Sequence, residues 1–305
     1  MRMPKRFFTL LELLAVICVI AIPANLMAND KEIVTKIESL GGKVTVKDGL
    51  ATHLDFTECS KLDDASFQLI GQLSHLKHLT LYNKCLGLND KTLVHLLKLK
   101  DLETLGTDAA QFTDEGLKQF TQLPNLRTAS FFHTSFGNKD FTGVGFGHLK
   151  GCPKLDNLTV AGISMSDAGF AAIATITQLK TLSTWHTWQT EAGNAHIASM
   201  PNLQHLMLGQ RLPGGDRKAA SLSDFSIPTL AKMKSLKTLK IGEARFTAEA
   251  LSALKALPKI EILTLYESQL SAMEINKLRE SLPGVKIDWQ AATEEDRKKL
   301  EMYLK

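Results

Sequence analysis

A short pattern of polar and apolar residues recurs nine times along the chain, and this recurrence restricts the possible folds more than any other feature. Each copy begins with Asp, Asn, Ser or Thr, which accept hydrogen bonds from the free amides at a helix start. Apolar residues follow four and seven positions later, on one face of a short helix, with Asn194 as the exception. The nine cap residues are Asp63, Asn89, Thr113, Thr142, Ser166, Thr190, Ser223, Thr247 and Ser271.

A second pattern of apolar residues follows these helices and predicts one short strand per copy. Leu76, Leu79 and Leu81 illustrate its spacing, which is tighter than that of a helix and leaves alternate side chains on opposite faces. One helix and one strand cannot bury their apolar faces alone, so neighbouring units must stack into a continuous core. The sequence therefore predicts an α/β solenoid of about nine units.

The Leu-x-x-Leu-x-Leu spacing occurs together with a Ser/Thr-Asp-x-Gly-Phe/Leu stretch, as in Ser166-Asp167-Ala168-Gly169-Phe170. This combination resembles the leucine-rich repeat superfamily, and in particular the exported leucine-rich repeat proteins abundant in planctomycete-type bacteria. The resemblance implies a curved solenoid with a parallel β-sheet on the concave face and short helices on the convex face. It also implies a binding scaffold rather than an enzyme. The Asn that many such families place after the strand is missing, since Ala110 and Ile163 occupy such positions.

Four segments are predicted along the chain. Residues 1–28 form a signal peptide or membrane segment, and residues 29–53 form an N-terminal cap with a helix through Leu40, a stop at Gly41-Gly42 and a strand at Val44 to Val46. Residues 54–289 form the repeat domain. Residues 290–305 form a C-terminal helical tail, which Thr293 and Asp296 can start.

The first residues have the layout of a secretory signal. Three basic residues precede an apolar run from Phe7 to Ile22, and a small residue, Ala28, marks a cleavage position. Sixteen helical residues reach only about 24 Å, which is short of the roughly 30 Å hydrocarbon core. We therefore expect an exported protein of the periplasm, the cell envelope or the medium. The alternative is a protein that stays anchored to the membrane by residues 7–22.

A different N-terminal reading comes from the stretch Phe8 to Leu14, which resembles the processing motif of type IV prepilins and pseudopilins. Glu12 stands at the fifth position of that motif, whereas Phe7 occupies the place of the Gly that precedes it in the family. This resemblance implies a pilin-like assembly. The alternative to a binding scaffold is therefore a structural envelope-associated or pilin-like anchored protein with no single dedicated ligand.

Charge and motifs exclude several classes of function. The chain has 36 Lys and Arg against 32 Asp and Glu, with no clustered basic face of the kind that binds nucleic acid. It contains no Gly-x-Ser-x-Gly, no phosphate-binding Gly loop and no His-Glu-x-x-His. His53, His78 and Asp55 are predicted to be neighbours, but no zinc-type spacing accompanies them. We therefore expect no enzymatic activity, no cofactor and no metal site.

Three cysteines follow the N-terminal segment. Cys59 and Cys85 lie just after adjacent predicted strands, at nearly equivalent places, so they could form a disulfide or remain two packed thiols. Cys152 falls where other units place Leu123 or Met200, which predicts a small core residue.

The candidate binding surface combines outward-facing strand residues with two long strand-to-helix loops. These loops are Phe132 to Phe141 and Gly209 to Ser221, and Trp185-His186-Thr187-Trp188 lies between them. We expect them to overhang one rim and to bind a protein or an extended polymer, because aromatic residues and Arg dominate recognition energetics. The alternative is that Trp188, Phe132 and Phe136 pack locally. The candidate residues are Tyr82, Phe132, His133, Trp185, His186, Trp188, Arg211, Arg217 and Tyr266.

Overall fold

One continuous β-sheet connects the two ends of the molecule. The computed structural model describes residues 24–212 and 220–304. Within them the sheet has eleven strands in chain order; the first two pair antiparallel, and all later neighbours pair parallel. The strands are β1 (Lys43–Lys47), β2 (Leu50–Phe56), β3 (His78–Leu81), β4 (Thr104–Asp108), β5 (Thr128–Phe132), β6 (Asn157–Ala161), β7 (Thr181–Trp185), β8 (His205–Leu208), β9 (Thr238–Gly242), β10 (Ile262–Tyr266) and β11 (Lys286–Trp289).

Short helices separate the parallel strands, so the predicted alternation of helix and strand is confirmed. The α-helices are α1 (Ala24–Ser39), α2 (Asp64–Ile70), α3 (Leu93–Leu96), α4 (Asp167–Ile173), α5 (Glu191–Ala198), α6 (Ile227–Leu230), α7 (Ala248–Ser252), α8 (Ala272–Ser281) and α9 (Glu294–Tyr303). Two units have a 3₁₀ helix instead, Gly116–Gln122 and Val144–Gly151, and shorter 3₁₀ segments are Asp224–Ser226 and Ala253–Ala256. Such tight helices are common where only one or two turns fit between strands.

The core lies between the sheet and the helices, and it is built from the residues that the strand pattern singles out. Leu54 pairs with Leu79, Leu79 with Leu105 and Leu105 with Ala129, in one unbroken register. All four are buried, as are the apolar residues of the helix pattern. One hydrophobic cluster therefore extends from Ile33 in α1 to Ile287 in β11. This arrangement confirms that the units stack into a shared core.

The predicted helix caps act as expected in eight of the nine units. Their side chains accept hydrogen bonds from backbone amides two or three residues later. Ser166 is the exception, because its side chain forms no cap bond. In the second unit Asn89 accepts from Lys91 and Thr92, and the helix itself begins only at Leu93.

A ladder of aspartates joins neighbouring units at the helix starts. The Asp that follows a cap accepts hydrogen bonds from both the amide and the hydroxyl of the next unit's cap Thr, so a single carboxylate serves two donors. This ladder supplies inter-unit hydrogen bonds that the sequence pattern left unassigned. The pairs, with their Oδ2 to Oγ1 distances, are Asp90 and Thr113 (2.6 Å), Asp114 and Thr142 (2.7 Å), Asp167 and Thr190 (2.7 Å), and Asp224 and Thr247 (2.8 Å).

Two glycines that stand three residues after a cap, Gly116 and Gly145, lie very close to the Asp of the preceding unit. A Cβ at Gly116 would lie 1.8 Å from Oδ1 of Asp90, and a Cβ at Gly145 would lie 2.1 Å from the backbone oxygen of Asp114. The amide of Gly145 also donates to Oδ1 of Asp114 at 2.9 Å. Glycine is therefore required at these two positions, whereas the equivalent position after Thr247 is occupied by Ala250.

The N-terminal cap follows the prediction from Lys31 onward and extends it. Helix α1 packs Ile33 and Ile37 into the core, and β1 covers the edge of β2 as an antiparallel strand. Asp30 is buried and accepts a hydrogen bond from the amide of Ala51 at 2.9 Å. The apolar run from Phe7 to Ile22 and the motif from Phe8 to Leu14 lie outside the described residues. Among the helices that are described, none is long and apolar enough to cross a membrane.

The C-terminal end also agrees with the sequence pattern. Strand β11 pairs with β10, and α9 begins with reciprocal hydrogen bonds between Thr293 and Asp296. Arg245 pairs with Glu301 at 2.5 Å and so links the tail to the unit that contains β9. Residues 290–304 are therefore held against the solenoid.

The three described cysteines are free and buried. Cys85 and Cys59 contact each other through a side-chain hydrogen bond, which together with burial raises the pKa of the Cys85 thiol. Of the two alternatives, the structure has the packed thiols. Burial raises the pKa of Cys152 to about 12, as expected for a small core residue.

Candidate functional site

The concave face, meaning the face of the sheet opposite the helices, carries a line of aromatic rings at its strand-to-helix edge. Tyr82, Phe132, Trp185 and Tyr266 all occupy the position that directly follows the last inward-facing strand residue. Each is partly exposed, and Tyr82 is 40% exposed. We call these four residues the aromatic column. The alternation of strand residues placed all four at equivalent outward-facing positions, and the structure has them there.

Rings of the aromatic column touch across intervening units. The Tyr82 and Phe132 centroids lie 5.7 Å apart at an interplanar angle of 80°, and those of Phe132 and Trp185 lie 6.0 Å apart at 57°. These distances fall within the range of favourable edge-to-face and tilted pairs. The first three residues therefore form one contiguous apolar strip rather than isolated rings.

Small residues flank the Trp185 ring of the column on both sides. Ala161 lies between Phe132 and Trp185, and Gly209 lies between Trp185 and Tyr266. A Cβ at Gly209 would lie 2.6 Å from Cβ of Trp185 and 2.8 Å from the hydroxyl of Tyr266. That hydroxyl instead reaches the backbone and donates to the carbonyl of Leu208 at 3.3 Å.

His133 lies beside the aromatic column and is paired with an acid. Its Nδ1 is 2.7 Å from Oδ1 of Asp108, whose other oxygen accepts from the amide of Lys84. The backbone at His133 is left-handed, with φ of 47°, and the ring covers Gly162 so closely that a Cβ there would lie 2.5 Å from Cδ2. His133 is 60% exposed at its side chain. It is therefore a fixed polar group at the edge of the strip.

A second pair of this kind lies near the other end of the column. Nε2 of His186 is 2.8 Å from Oε1 of Glu243, and Oε2 of Glu243 accepts from the amide of Gln210 at 3.0 Å. Glu243 is buried, with φ of 53°, at the same position in its unit as His186. Sequence reasoning missed Glu243. Its only sequence signal is that it occupies the same strand-end position as His133 and His186.

The first long loop, Phe132 to Phe141, is partly buried against the solenoid. Thr134 and Ser135 are buried, and the Ser135 hydroxyl donates to the carbonyl of Phe112 at 2.5 Å. Phe136 is 53% exposed, and the four residues that follow it are exposed. The expected overhang is therefore limited to residues 136–140.

The second long loop corrects one predicted site residue. Arg211 is buried, 5% exposed, so the expectation that it projects from the rim is wrong. The chain turns inward here because buried Gln210 accepts from the amides of Arg211 and Ser221 and donates to the carbonyl of Leu222. Arg217 lies outside the described residues.

The two tryptophans of the predicted edge are not equally exposed. Trp188 is 45% exposed and lies in the strand-to-helix loop, where its amide donates to the carbonyl of Met165. Trp185 is half-buried because it packs within the aromatic column. The tryptophan pair therefore belongs to two surfaces, the column and the loop edge.

A cavity opens at the N-terminal end of the aromatic column. It has a volume of about 380 Å³ and is lined by Tyr82, Asn83, Asp108, Phe132 and His133. Two aromatic rings form its apolar walls, and the Asp108 to His133 pair forms a polar edge. Such a small apolar recess with fixed polar groups suits an inserted side chain.

Two further histidines face outward on β2 and β3, two outward-facing lines away from the aromatic column. The rings of His53 and His78 stack at 4.2 Å with an interplanar angle of 9°. Burial, together with the neighbouring His53, lowers the pKa of His78. Among the described residues, no group of three or more His, Cys, Asp or Glu side chains could hold a metal ion.

A comparison with protein-family models agrees with this architecture. A family model described as "FBD-associated F-box protein At5g56370, LRR repeats" matches residues 66–230. No curated protein matches the chain. Among the solved structures that match is one titled "Crystal structure of Rad7 and Elc1 complex in yeast", at 18% identity and a TM-score of 0.39, covering 93% of this chain and 87% of that chain.

Leucine-rich repeats generally mediate protein–protein interaction and are typically non-catalytic scaffolds. The family match covers residues 66–230, which is more than half of the chain, and these residues carry the repeated helix, strand and aspartate ladder described above. The chain therefore belongs to this family of leucine-rich repeat proteins.

Proposed function

We propose that the protein is a non-enzymatic scaffold that binds an extended segment of a partner protein along the aromatic column. The observation that carries this proposal is the contiguous strip formed by Tyr82, Phe132 and Trp185, with ring centroids 5.7 and 6.0 Å apart. Aromatic residues dominate binding energy at protein interfaces, because they bury a large area at a small cost in side-chain entropy.

The apolar recess at Tyr82 supports a protein partner more than a featureless polymer. It is large enough for one side chain, and the Asp108 to His133 pair at its edge offers oriented hydrogen-bonding groups. We propose that this recess receives an apolar side chain of the partner, while the rest of the column contacts the partner's backbone and flanking residues.

The test is affinity capture from the source organism with matched variants. Trp185→Ala and Tyr82→Ala should each reduce recovery of the partner at least about ten-fold, the range of an interface hot spot. Phe225→Ala is the control, because Phe225 is 87% exposed and lies at a helix start away from the column. Recovery that is equal for all three variants, with unchanged circular dichroism, would refute the proposal.

We further propose that the scaffold is exported, with residues 1–28 removed as a signal. Cleavage near Ala28 would leave Asp30, Ile33 and Ile37 in the mature protein, and these residues complete the N-terminal cap. N-terminal sequencing of protein from the source organism tests this. A mature chain that starts near Asn29 supports export with cleavage, a start at Phe8 supports pilin-like processing, and an uncut chain in the membrane fraction supports an anchor.

A further inference from the structure

A second, larger cavity lies at the C-terminal end of the aromatic column. Its volume is about 650 Å³, within the range of cavities that bind small molecules or long side chains. The outward-facing residues of β9 to β11 form its floor, and the tail that leads into α9 forms its wall. The lining residues that matter here are Lys240, Tyr266, Glu267, Asp288, Trp289 and Asp296.

The charges in this C-terminal cavity are not evenly balanced. Asp288 is paired with Lys286 at 2.9 Å, and Asp296 accepts from the amide and hydroxyl of Thr293. Glu267 differs: burial, and then the carboxylates of Glu243 and Asp296, raise its pKa, although Lys299 and His186 act in the opposite direction. The cavity therefore holds a partly buried carboxylate whose pKa is raised, first by burial and then by neighbouring carboxylates.

An aromatic ring that lines the same cavity already accommodates a cation. Nζ of Lys240 lies 5.1 Å from the centroid of the Tyr266 ring, which is within the distance of a cation–π contact. The ring face and the carboxylate of Glu267 thus offer two favourable contacts to a positive group. A guanidinium suits both, because its planar face stacks on aromatic rings while its edge pairs with carboxylates.

We propose that the C-terminal cavity binds the cationic side chain of an arginine in the partner segment, between Glu267 and the ring of Tyr266. This inference rests on the proposed function, because it assumes that the partner segment follows the aromatic column from one cavity to the other.

The geometry also gives the spacing of the partner's two anchor residues. Tyr82 follows β3 and Tyr266 ends β10, so the two cavities are separated by seven strand spacings. At about 4.8 Å per spacing this is roughly 34 Å. An extended chain covers about 3.3 Å per residue, so the apolar residue and the arginine should lie about ten residues apart.

The indole groups of the protein provide a direct assay for the cation. The chain has three tryptophans, and Trp289 lines the C-terminal cavity while Trp185 and Trp188 lie elsewhere. Protein labelled with ¹⁵N at the indoles is titrated with N-acetyl-arginine methylamide and, separately, with N-acetyl-citrulline methylamide, which has the same shape but no charge. We expect a saturable shift of the Trp289 cross-peak with the arginine probe only. The other two cross-peaks serve as internal references.

Two variants give changes of opposite sign. Glu267→Gln should weaken binding of the arginine probe at least about ten-fold, because it removes the carboxylate of a charge-assisted pair. Lys240→Met should strengthen it several-fold, because it removes a competing positive charge from the Tyr266 ring. Glu249→Gln, at an exposed position in α7, is the control and should leave binding unchanged.

The inference is overturned if both probes shift Trp289 equally, if neither probe shifts it, or if Glu267→Gln binds arginine as well as the unmodified protein does. Failure of the broader proposal looks different. In that case Trp185→Ala leaves capture of the partner unchanged, whatever the arginine probe does at Trp289.

Discussion

The substitution Gly145→Ala tests whether close approach between neighbouring units holds the solenoid together. The added Cβ would lie 2.1 Å from the backbone oxygen of Asp114 and 2.5 Å from its Cα. Backbone atoms cannot rotate away, so the helix start must retreat by roughly 1 Å to restore ordinary contact. That retreat also stretches the 2.9 Å hydrogen bond from the Gly145 amide to Oδ1 of Asp114.

These two effects set the expected magnitude. Overpacking of a well-packed site costs about 1–3 kcal/mol, and weakening a hydrogen bond to a charged group adds about 1–2 kcal/mol. We therefore expect Gly145→Ala to lower the free energy of unfolding by about 3 kcal/mol. Urea unfolding followed by circular dichroism measures this as a lower midpoint at an unchanged slope.

Gly147→Ala is the matched control, because it makes the same change in the same 3₁₀ helix. The nearest atoms to its added Cβ are Cβ of Ala172 at 3.2 Å and the oxygen of Ala172 at 3.3 Å, so only a small adjustment is needed. We expect a change within about 1 kcal/mol. If the two glycine variants have the same midpoint, close approach does not set the stability and the reasoning is refuted.

A double substitution separates backbone clashes from side-chain clashes. In Gly116→Ala the added Cβ meets the carboxylate of Asp90 at 1.8 Å, so Asp90→Ala should relieve part of the cost. In Gly145→Ala the clash is with the backbone of Asp114, and Asp114→Ala should give no relief. Relief of both clashes, or of neither, would contradict this distinction.

Three further outcomes are expected. Thr247→Ala should cost about 1 kcal/mol of stability in urea unfolding, whereas Ser166→Ala, whose hydroxyl forms no cap bond, should cost little. The folded-state pKa of Glu267 is raised, so ionisation of this carboxyl destabilises the fold as the pH rises above the unfolded pKa near 4.5. Glu267→Gln should therefore raise the melting temperature at pH 7 and change it little near pH 3. An equal shift of the melting temperature at both pH values would refute this. Cys85 and Cys152 are buried and have raised pKa values, so they should resist alkylation by iodoacetamide at pH 8 until urea unfolds the protein. Peptide mass spectrometry measures the alkylated fraction. Rapid alkylation of the native protein would contradict the burial of these thiols.

The repeated part of the fold could be predicted from the sequence because its signals are local. Cap residues such as Asp63 and Ser271 act within three residues, and strand leucines such as Leu79 point inward by simple alternation. The same spacing placed Tyr82 and Trp185 in one column. These features can be predicted from the residue spacing within one unit, once it is known that the units stack.

Features that depend on contacts between units could not be predicted in the same way. The carboxylate of Asp114 looked like a helix-start charge, whereas it bonds the cap of the next unit. Arg211 looked like a loop residue, but Gln210 turns the chain inward beside it. The position of Glu243 at a strand end did not reveal its role, because its partner His186 lies 57 residues earlier in the chain.

The two outer strands of the sheet have a consequence for how copies of the protein behave toward one another. Strands β1 and β11 each pair on one side only within the described residues, so each presents a free row of amide and carbonyl groups. Exposed lysines, Lys43 and Lys47, stand at the two ends of β1, and β11 carries Lys286 and Asp288. Charged side chains on such edges discourage a second molecule from adding its own strand. The rods should therefore remain separate in solution rather than joining end to end into fibres.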